Sequence, residues 1–437
     1  MGRERHTVTI DKVVAGGEGL GRLASGLVVM VPHVLPGERV RLEVGKARQG
    51  FAPAQVLELL EPAPQRVEPA CPHFGRCGGC HLQHGDYPAQ LAIKEAILRE
   101  LANRGGLAVD EAVWRPILPS PSPWGYRQRL RLQIDEAGRV GFFAARSHQV
   151  IAVDHCPLAV APVNQALAGL LAHPGFRRLT ANLQAVELLH HPQEGRVVMI
   201  LHLRRRPRPA DQQAARRLAH EVGPLASVWL AGEGFVRNGP YGEGEGGIGF
   251  ALALPGGRAL AMRLEAGGFC QVNLGQNEQL AAQLLEWSEV SGQDRVLDLF
   301  CGMGNFSLPL AASALEVLGT DLQHAAIRMA EANAQANGLA NCRFRRAPAV
   351  AAAKELLAAG SRFDLILLDP PRSGCRELIP LLAGLSADRL LYISCDPATL
   401  IRDLAALTRT GYRLCGLRGV DMFPQTCHLE AIALLRR

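Results

Sequence analysis

Lysine is nearly absent from this chain. Its 47 basic residues include only four lysines, Lys12, Lys46, Lys94 and Lys354, so the positive charge is almost all guanidinium. Arginine suits bidentate contacts to phosphate and stacking on bases. No apolar run approaches the roughly 20 residues of a membrane span, which excludes a membrane-spanning helix. The start, Met1-Gly2-Arg3-Glu4-Arg5-His6, lacks the apolar core of a signal peptide. The expected location is therefore the cytoplasm. A reducing compartment gives the eleven cysteines no disulfide framework, so they point to metal or catalysis.

What is present fits a folded protein of several parts. The 437 residues allow two to four domains, and 48% hydrophobic with 20% charged residues is a globular composition. The net charge of +6 is modest, and by itself it says little about nucleic acid. From His6 to Leu60 short alternating stretches, such as Thr7-Val8-Thr9-Ile10 and Val40-Arg41-Leu42-Glu43-Val44, are separated by glycine-rich turns. That pattern predicts a small β-barrel. Four prolines between Pro62 and Pro72 read as a linker. Cys71, Cys77 and Cys80 follow, spaced by five and then two residues, which is a metal-binding pattern. Cys156, in Cys156-Pro157, is the best fourth ligand, and an iron–sulfur cluster competes with four-thiolate zinc.

Tyr87 to Arg104 has helical spacing. Arg127, Arg129 and Arg131 alternate, so on a strand they would share one face and could track phosphates. Residues from Asp135 to Arg263 mix strands and helices in no recognisable order. From Gly292 strands and helices alternate regularly, which predicts a parallel sheet. Arg295 to Phe300 is its first strand, followed by the glycine turn Cys301-Gly302-Met303-Gly304-Asn305, and Glu316 to Asp321 is its second. A glycine turn after the first strand and an acid ending the second suit an adenosine-type ligand. The spacing is not Gly-x-Gly-x-x-Gly, so nothing seats a pyrophosphate.

The most informative stretch is Leu390 to Leu400. Its apolar run reads as a buried strand, and Asp396-Pro397 reads as a helix start. Cys395 then lies at a strand's carboxyl end, facing a helix N-terminus that favours a thiolate.

Two resemblances add to this reading. Gly16 to Arg22, Val31-Pro32 and Leu35-Pro36-Gly37-Glu38 resemble a TRAM domain, an OB-like RNA-binding module. The motifs Asp298 to Asn305, Asp369-Pro370-Pro371-Arg372, Ser394 to Leu400, and Asp421-Met422-Phe423-Pro424 with His428-Leu429-Glu430 resemble the RNA uracil-C5 methyltransferase family. The barrel and four cysteines point to its branch that modifies 23S ribosomal RNA at the uridine-1939 class of site. The implied fold class is α/β: a C-terminal Rossmann-like class I methyltransferase sheet, an N-terminal OB-like barrel and a central α+β iron–sulfur domain. The implied divisions are residues 1–61, 62–270 and 271–437.

The resemblance makes Cys395 the nucleophile and Glu430 the base. It makes Gln271, Phe300, Asn305, Asp321 and Asp369 contacts of S-adenosylmethionine or the target base. It gives a [4Fe-4S] cluster on Cys71, Cys77, Cys80 and Cys156. It also implies 23S ribosomal RNA as partner, no membrane, and action as a monomer. Pro348 stands where the family usually has a polar residue near the adenine, and Cys427 reads as a small filler. Other readings are the same reaction on another ribosomal or transfer RNA uridine, a redox or radical iron–sulfur enzyme, and a non-catalytic RNA-binding protein. Radical enzymes of the RNA methylthiotransferase type use a Cys-x-x-x-Cys-x-x-Cys triad, and this sequence has no such spacing.

Overall fold

The structure, a computed structural model, describes residues 5–244, 246–385 and 387–437. The chain starts with β1 (Arg5–Val13), β2 (Glu18–Arg22), β3 (Val28–Pro32), β4 (Arg39–Val44) and β5 (Phe51–Glu61), which close into a barrel in the order β1-β2-β3-β5-β4. Alternation builds its core: in β4, Val40 and Leu42 are buried and Arg39 and Arg41 exposed. A Cβ on Gly19 would run into Val34, so the wall there needs glycine.

The proline-rich stretch after the barrel is pinned. Arg66 donates from Nη2 to the buried Glu38 carboxylate at 2.8 Å and to the His33 carbonyl at 3.0 Å, and it bridges Gly85. A free spacer predicted from prolines alone is thus held at both ends.

Two elements follow that the expected division at residue 270 does not anticipate. Helix α1 (Tyr87–Arg104) is capped by Asp86, whose Oδ1 accepts from Ala89 N at 2.8 Å. Strand β6 (Trp114–Leu118) pairs in parallel with a strand near the C-terminus. Both therefore pack with the last part of the chain.

The middle of the chain forms β7 (Arg129–Ile134), β8 (Val140–Phe143), β9 (Val150–Ala152), α2 (Ala161–Ala172), α3 (Pro174–Leu179), β10 (Leu183–His191), β11 (Arg196–Leu203), α4 (Pro209–Glu221), β12 (Leu225–Ala231) and β13 (Asn238–Gly242). They make a seven-stranded sheet, β13-β12-β11-β10-β7-β8-β9, with α2 and α4 packed on its core. The ribbon β14 (Gly247–Ala253) and β15 (Ala259–Glu265) leads onward.

The C-terminal part contains α5 (Leu274–Ser288), β16 (Arg295–Asp298), α6 (Ser307–Ala311), β17 (Glu316–Asp321), α7 (His324–Ala336), β18 (Cys342–Arg346), α8 (Ala349–Ala358), β19 (Leu365–Leu368), α9 (Ile379–Leu385), β20 (Arg389–Ser394), α10 (Pro397–Thr408), β21 (Arg413–Val420) and β22 (Glu430–Arg436). With β6 they form an eight-stranded sheet, β18-β17-β16-β19-β20-β22-β21-β6. The apolar runs of β19 and β20 are buried almost throughout, as strands covered on both faces must be. Strands β16 to β20 are parallel, and β22 returns antiparallel to β20.

The structure splits the expected arginine row. Only Arg129 and Arg131 lie on β7. Arg129 is ion-paired to the buried Glu187 on neighbouring β10 and also donates to the Gly268 carbonyl at 2.9 Å. Arg127 donates to the Arg129 carbonyl at 3.1 Å, which leaves Arg131 as the exposed member. Arg129→Ala should therefore lower urea-unfolding stability by about 2–3 kcal/mol, because it strands a buried carboxylate. Arg131→Ala should stay within about 0.5 kcal/mol of the parent in the same measurement.

Candidate active site

Strand direction assembles the site. In the parallel strands β16, β17, β19 and β20 all carboxyl ends lie on one sheet edge, where open α/β sheets bind ligands. Asp298 ends β16, Asp321 ends β17, Asp369 follows β19 and Cys395 follows β20. Because β22 is antiparallel, its first residue, Glu430, lies on this edge too. Ser394 pairs with Ala431 and Val420 with Glu430, so Glu430 and Cys395 are next to that register point on adjacent strands.

Local chemistry fixes each part. Asp396 Oδ1 caps α10 by accepting from Thr399 N at 2.9 Å, and Pro397 opens the helix. The turn after β16 passes through Gly302 and Gly304 at φ 54° and 89°. Asp321 Oδ2 accepts from Gly302 N at 3.1 Å and its Oδ1 from Gln323 N at 2.7 Å. Asp298 accepts from Ser307 Oγ at 2.6 Å and Phe300 N at 3.1 Å. Asn305 exchanges two amide hydrogen bonds with Asn277 of α5, each 2.9 Å, so it ties the turn to α5. Gln271 is buried just before Asn273, which caps α5, and Phe300 is partly buried against the core. Pro348 starts α8 as its N-cap residue and has no side-chain hydrogen bond to offer.

Electrostatics set the character of the edge. Burial pushes the Glu430 carboxyl up to about 8, aided by Asp369. Asp369 is pushed up to about 7 by burial and by Asp298, and Asp298 to about 6, chiefly by burial. The Cys395 thiol is also raised, by burial first and then by Glu430, while the positive charge of the Arg372 guanidinium draws it down. Burial and the carboxylates of this edge thus act on the thiol against the direction expected from the α10 N-terminus. Glu430 Oε2 is buried without a hydrogen-bond partner among the described residues. Arg372 carried no assignment from the sequence, although it sits in the Asp369-Pro370-Pro371-Arg372 motif.

The four cysteines form a second locus. Cys71, Cys77, Cys80 and Cys156 line one cavity of about 180 Å³ together with Arg127 and Arg131. Burial raises Cys77 and Cys156 and pushes Cys80 up to about 12, and Arg127 opposes the shift at Cys77 and Cys156. Among the described residues no three His, Cys, Asp or Glu side chains converge closely enough to hold a single metal ion. The loop is anchored on both sides: Gly78 N donates to Phe143 O at 2.9 Å, and His81 N and Leu82 N both donate to Gln425 O at 3.0 Å.

The buried acid has a stability consequence. Unfolded, Glu430 ionises near its ordinary 4.5, whereas in the folded chain it stays protonated to about 8. A raised carboxyl favours folding below its unfolded pKa, and that advantage is lost as pH rises through the folded one. Glu430→Gln should therefore stabilise the ligand-free protein by on the order of 2–3 kcal/mol at about pH 7 and not at about pH 4. Urea unfolding at the two pH values measures this, and a pH-independent difference would contradict it.

Comparison with known proteins identifies the family. Residues 87–437 match the family described as tRNA (uracil-5-)-methyltransferase, and residues 1–57 match the TRAM domain. A Pseudomonas putida protein named 23S rRNA (uracil(1939)-C(5))-methyltransferase RlmD is 39% identical over 439 residues, covering 99% of this chain and 93% of that protein. The protein of the same name from Alkalilimnicola ehrlichii is 35% identical over 460 residues, covering 100% of this chain and 99% of that one. Among solved structures, Pyrococcus abyssi tRNA (uracil-54, C5)-methyltransferase with S-adenosyl-L-homocysteine has the same fold, with a TM-score of 0.74 over 98% of this chain and 99% of that one, at 24% identity. Over nearly its whole length, then, this chain belongs to the RNA uracil-C5 methyltransferase family.

Proposed function

We propose that the protein methylates C5 of a uridine in 23S ribosomal RNA, with S-adenosylmethionine as methyl donor. The relatives' printed names support the uridine-1939 class of site. The observation that carries the reading is that Cys395 and Glu430 lie at one sheet edge, beside the Ser394–Ala431 pair of adjacent strands, with Glu430 Oε2 buried and without a hydrogen-bond partner among the described residues. Uracil C5 is a poor nucleophile until a thiolate adds to C6. Cys395 would form that S–C6 bond, and the C5=C6 electron pair would become an enolate. The positive charge of Arg372, which draws the thiol's pKa down, would support the thiolate. S-adenosylmethionine, when bound, supplies an electrophilic sulfonium methyl, and C5 takes it. Glu430 as carboxylate then removes the C5 proton, the C5=C6 bond re-forms and the thiolate leaves. The net products are 5-methyluridine, S-adenosylhomocysteine and a proton.

The acids of this edge suit a cationic donor. Asp298, Asp369 and Glu430 are all held above their ordinary range, and a sulfonium beside them would favour their ionised forms. We assign Gln271, Phe300, Asp321 and Asp369 to cofactor or target-base contact. Asn305, committed to Asn277, would shape the cofactor turn rather than reach the ligand. With Pro348 offering no polar side chain, backbone groups would hold the adenine edge.

The three-part division is also a proposal: a barrel over residues 1–61 that holds RNA, a central part over 62–270, and a catalytic part over 271–437 that recruits α1 and β6. The target base would be extruded from the RNA to reach Cys395. The chain supplies both reacting groups itself, which fits action as a monomer. Among the described residues no helix is long and apolar enough to cross a membrane, which fits work on ribosomal RNA in the cytoplasm.

For the cysteine cavity we propose a [4Fe-4S] cluster on Cys71, Cys77, Cys80 and Cys156. A cube of irons needs thiolates spread around its corners, which suits four thiols around one cavity better than convergence on one zinc. Four filled ligand positions give it a structural role.

Cys395→Ala should abolish methyl transfer to 23S RNA while S-adenosylmethionine still binds. Glu430→Gln should accumulate a covalent protein–RNA adduct that survives denaturing electrophoresis. Near-normal turnover by the alanine variant would overturn the covalent route, and 5-methyluridine mapping in RNA from cells with and without the protein tests the target. Anaerobically purified protein should be brown, with iron and sulfide in equal amounts, and Cys156→Ala should lower stability more than it alters chemistry. Stoichiometric zinc would refute the cluster.

A further inference from the structure

The segment Asp421 to Leu429 leaves β21 and returns as β22. Its two ends meet where Val420 pairs with Glu430. It therefore forms a closed loop that leads directly into Glu430, the first residue of β22. One face of α1 grips that loop. Tyr87, Gln90 and Lys94 recur at helical spacing and lie on one side of the helix.

Lys94 and Asp421 are both fully buried, and Lys94 Nζ meets Asp421 Oδ1 at 2.5 Å. The same ammonium donates to the Phe423 carbonyl at 2.9 Å. The Tyr87 hydroxyl donates to Asp421 Oδ2 at 2.9 Å and accepts from Ser120 N at 2.7 Å. Gln90 Nε2 donates to Gln425 Oε1 and its Oε1 accepts from Gln425 N, both at 2.9 Å, where Gln425 adopts the left-handed conformation at φ 69°. Lys94 is one of only four lysines in an arginine-dominated chain. A compact ammonium can direct its donors to Asp421 and Phe423 at once, where a planar guanidinium would need more room. Stability alone is a weak reason for a buried ion pair, since apolar replacements of similar volume often fold as well.

We propose that Tyr87, Gln90 and Lys94 of α1 form a positioning clamp that aims Glu430 at the C5 proton of the adduct. None of the three touches substrate. They act through the 421–429 loop, and the proposal rests on Glu430 being the base. The clamp touches the cofactor side at second remove, through Ser120 and Met422, which both accept from Asn273 Nδ2 at 3.0 and 3.2 Å, so its largest effect should fall on the last step.

The test uses the full-length protein and a 23S RNA fragment that the parent methylates. Single-turnover measurements follow adduct formation and adduct resolution separately. Tyr87→Phe keeps the ion pair and is the variant least able to unfold the chain; Lys94→Met removes the ammonium. Both should slow adduct resolution by about 10- to 100-fold, the scale on which small misplacements of a reacting group act. Adduct formation and S-adenosylmethionine affinity should stay within about threefold of the parent, so the adduct builds up in these variants as it does in Glu430→Gln. A purely structural tie would instead weaken cofactor binding, adduct formation and resolution together, and that result overturns the clamp. If Glu430→Gln traps adduct while folded Tyr87→Phe and Lys94→Met resolve it at the parental rate, the clamp fails and the base assignment stands. If Glu430→Gln traps none, the base assignment fails and the clamp with it.

Discussion

The antiparallel pairing of β22 with β20 is the constraint on which the site depends. A strand entering this edge in the parallel sense would present its carboxyl end, and Glu430 would lie at the opposite end of the sheet. Because β22 runs backward, its first residue arrives where the parallel strands finish. The sheet backbone, with its obligatory hydrogen bonds, thus fixes the relative place of thiol and carboxyl before any side-chain contact is made. The 421–429 loop adjusts what the register has already set.

The same edge concentrates acids. Asp298, Asp369 and Glu430 come from three strands, and their carboxyls are held above the ordinary range mainly by burial. Arg372 is the basic group that meets the thiol. On the proposed function, the sulfonium of S-adenosylmethionine would counter this concentration of acids. Ligand binding and preparation of the base are then one electrostatic event, since a positive charge nearby makes Glu430 easier to ionise. On the proposed assignment of Glu430 as base, the folded chain gives up some stability to hold that base near neutral pH.

Much of this was legible in the sequence where the determining forces are local. The Asp396-Pro397 helix start follows from capping, and the Glu316–Asp321 strand and its terminal acid were read to the residue. The barrel followed from alternation and turns. The cysteines were legible as a group because few other roles suit that spacing. What stayed hidden is non-local. Alternation shows that Arg129 and Arg131 share a face, but not that Glu187 waits on the adjacent strand. The α1 spacing shows a helix, but nothing near Lys94 in sequence reveals that its partner is Asp421. Strand β6 gives no sign that it will join a sheet built from the far end of the chain. The helix-terminus argument for Cys395 rests on local sequence and could not show that the carboxyls of Asp369 and Glu430, from after β19 and from β22, act on the same thiol in the opposite sense.

The central claim is that Cys395 adds to the uracil ring and that the adduct is released only by removal of the C5 substituent. RNA carrying 5-fluorouridine at the target position tests it directly in the unaltered protein. Fluorine cannot leave as a proton does, so methylation should proceed once and stop. Mass spectrometry of the digested complex should find the methylated fluoronucleotide joined to the peptide that contains Cys395. A product released without a covalent complex, or a nucleotide found on Cys427, would contradict the account.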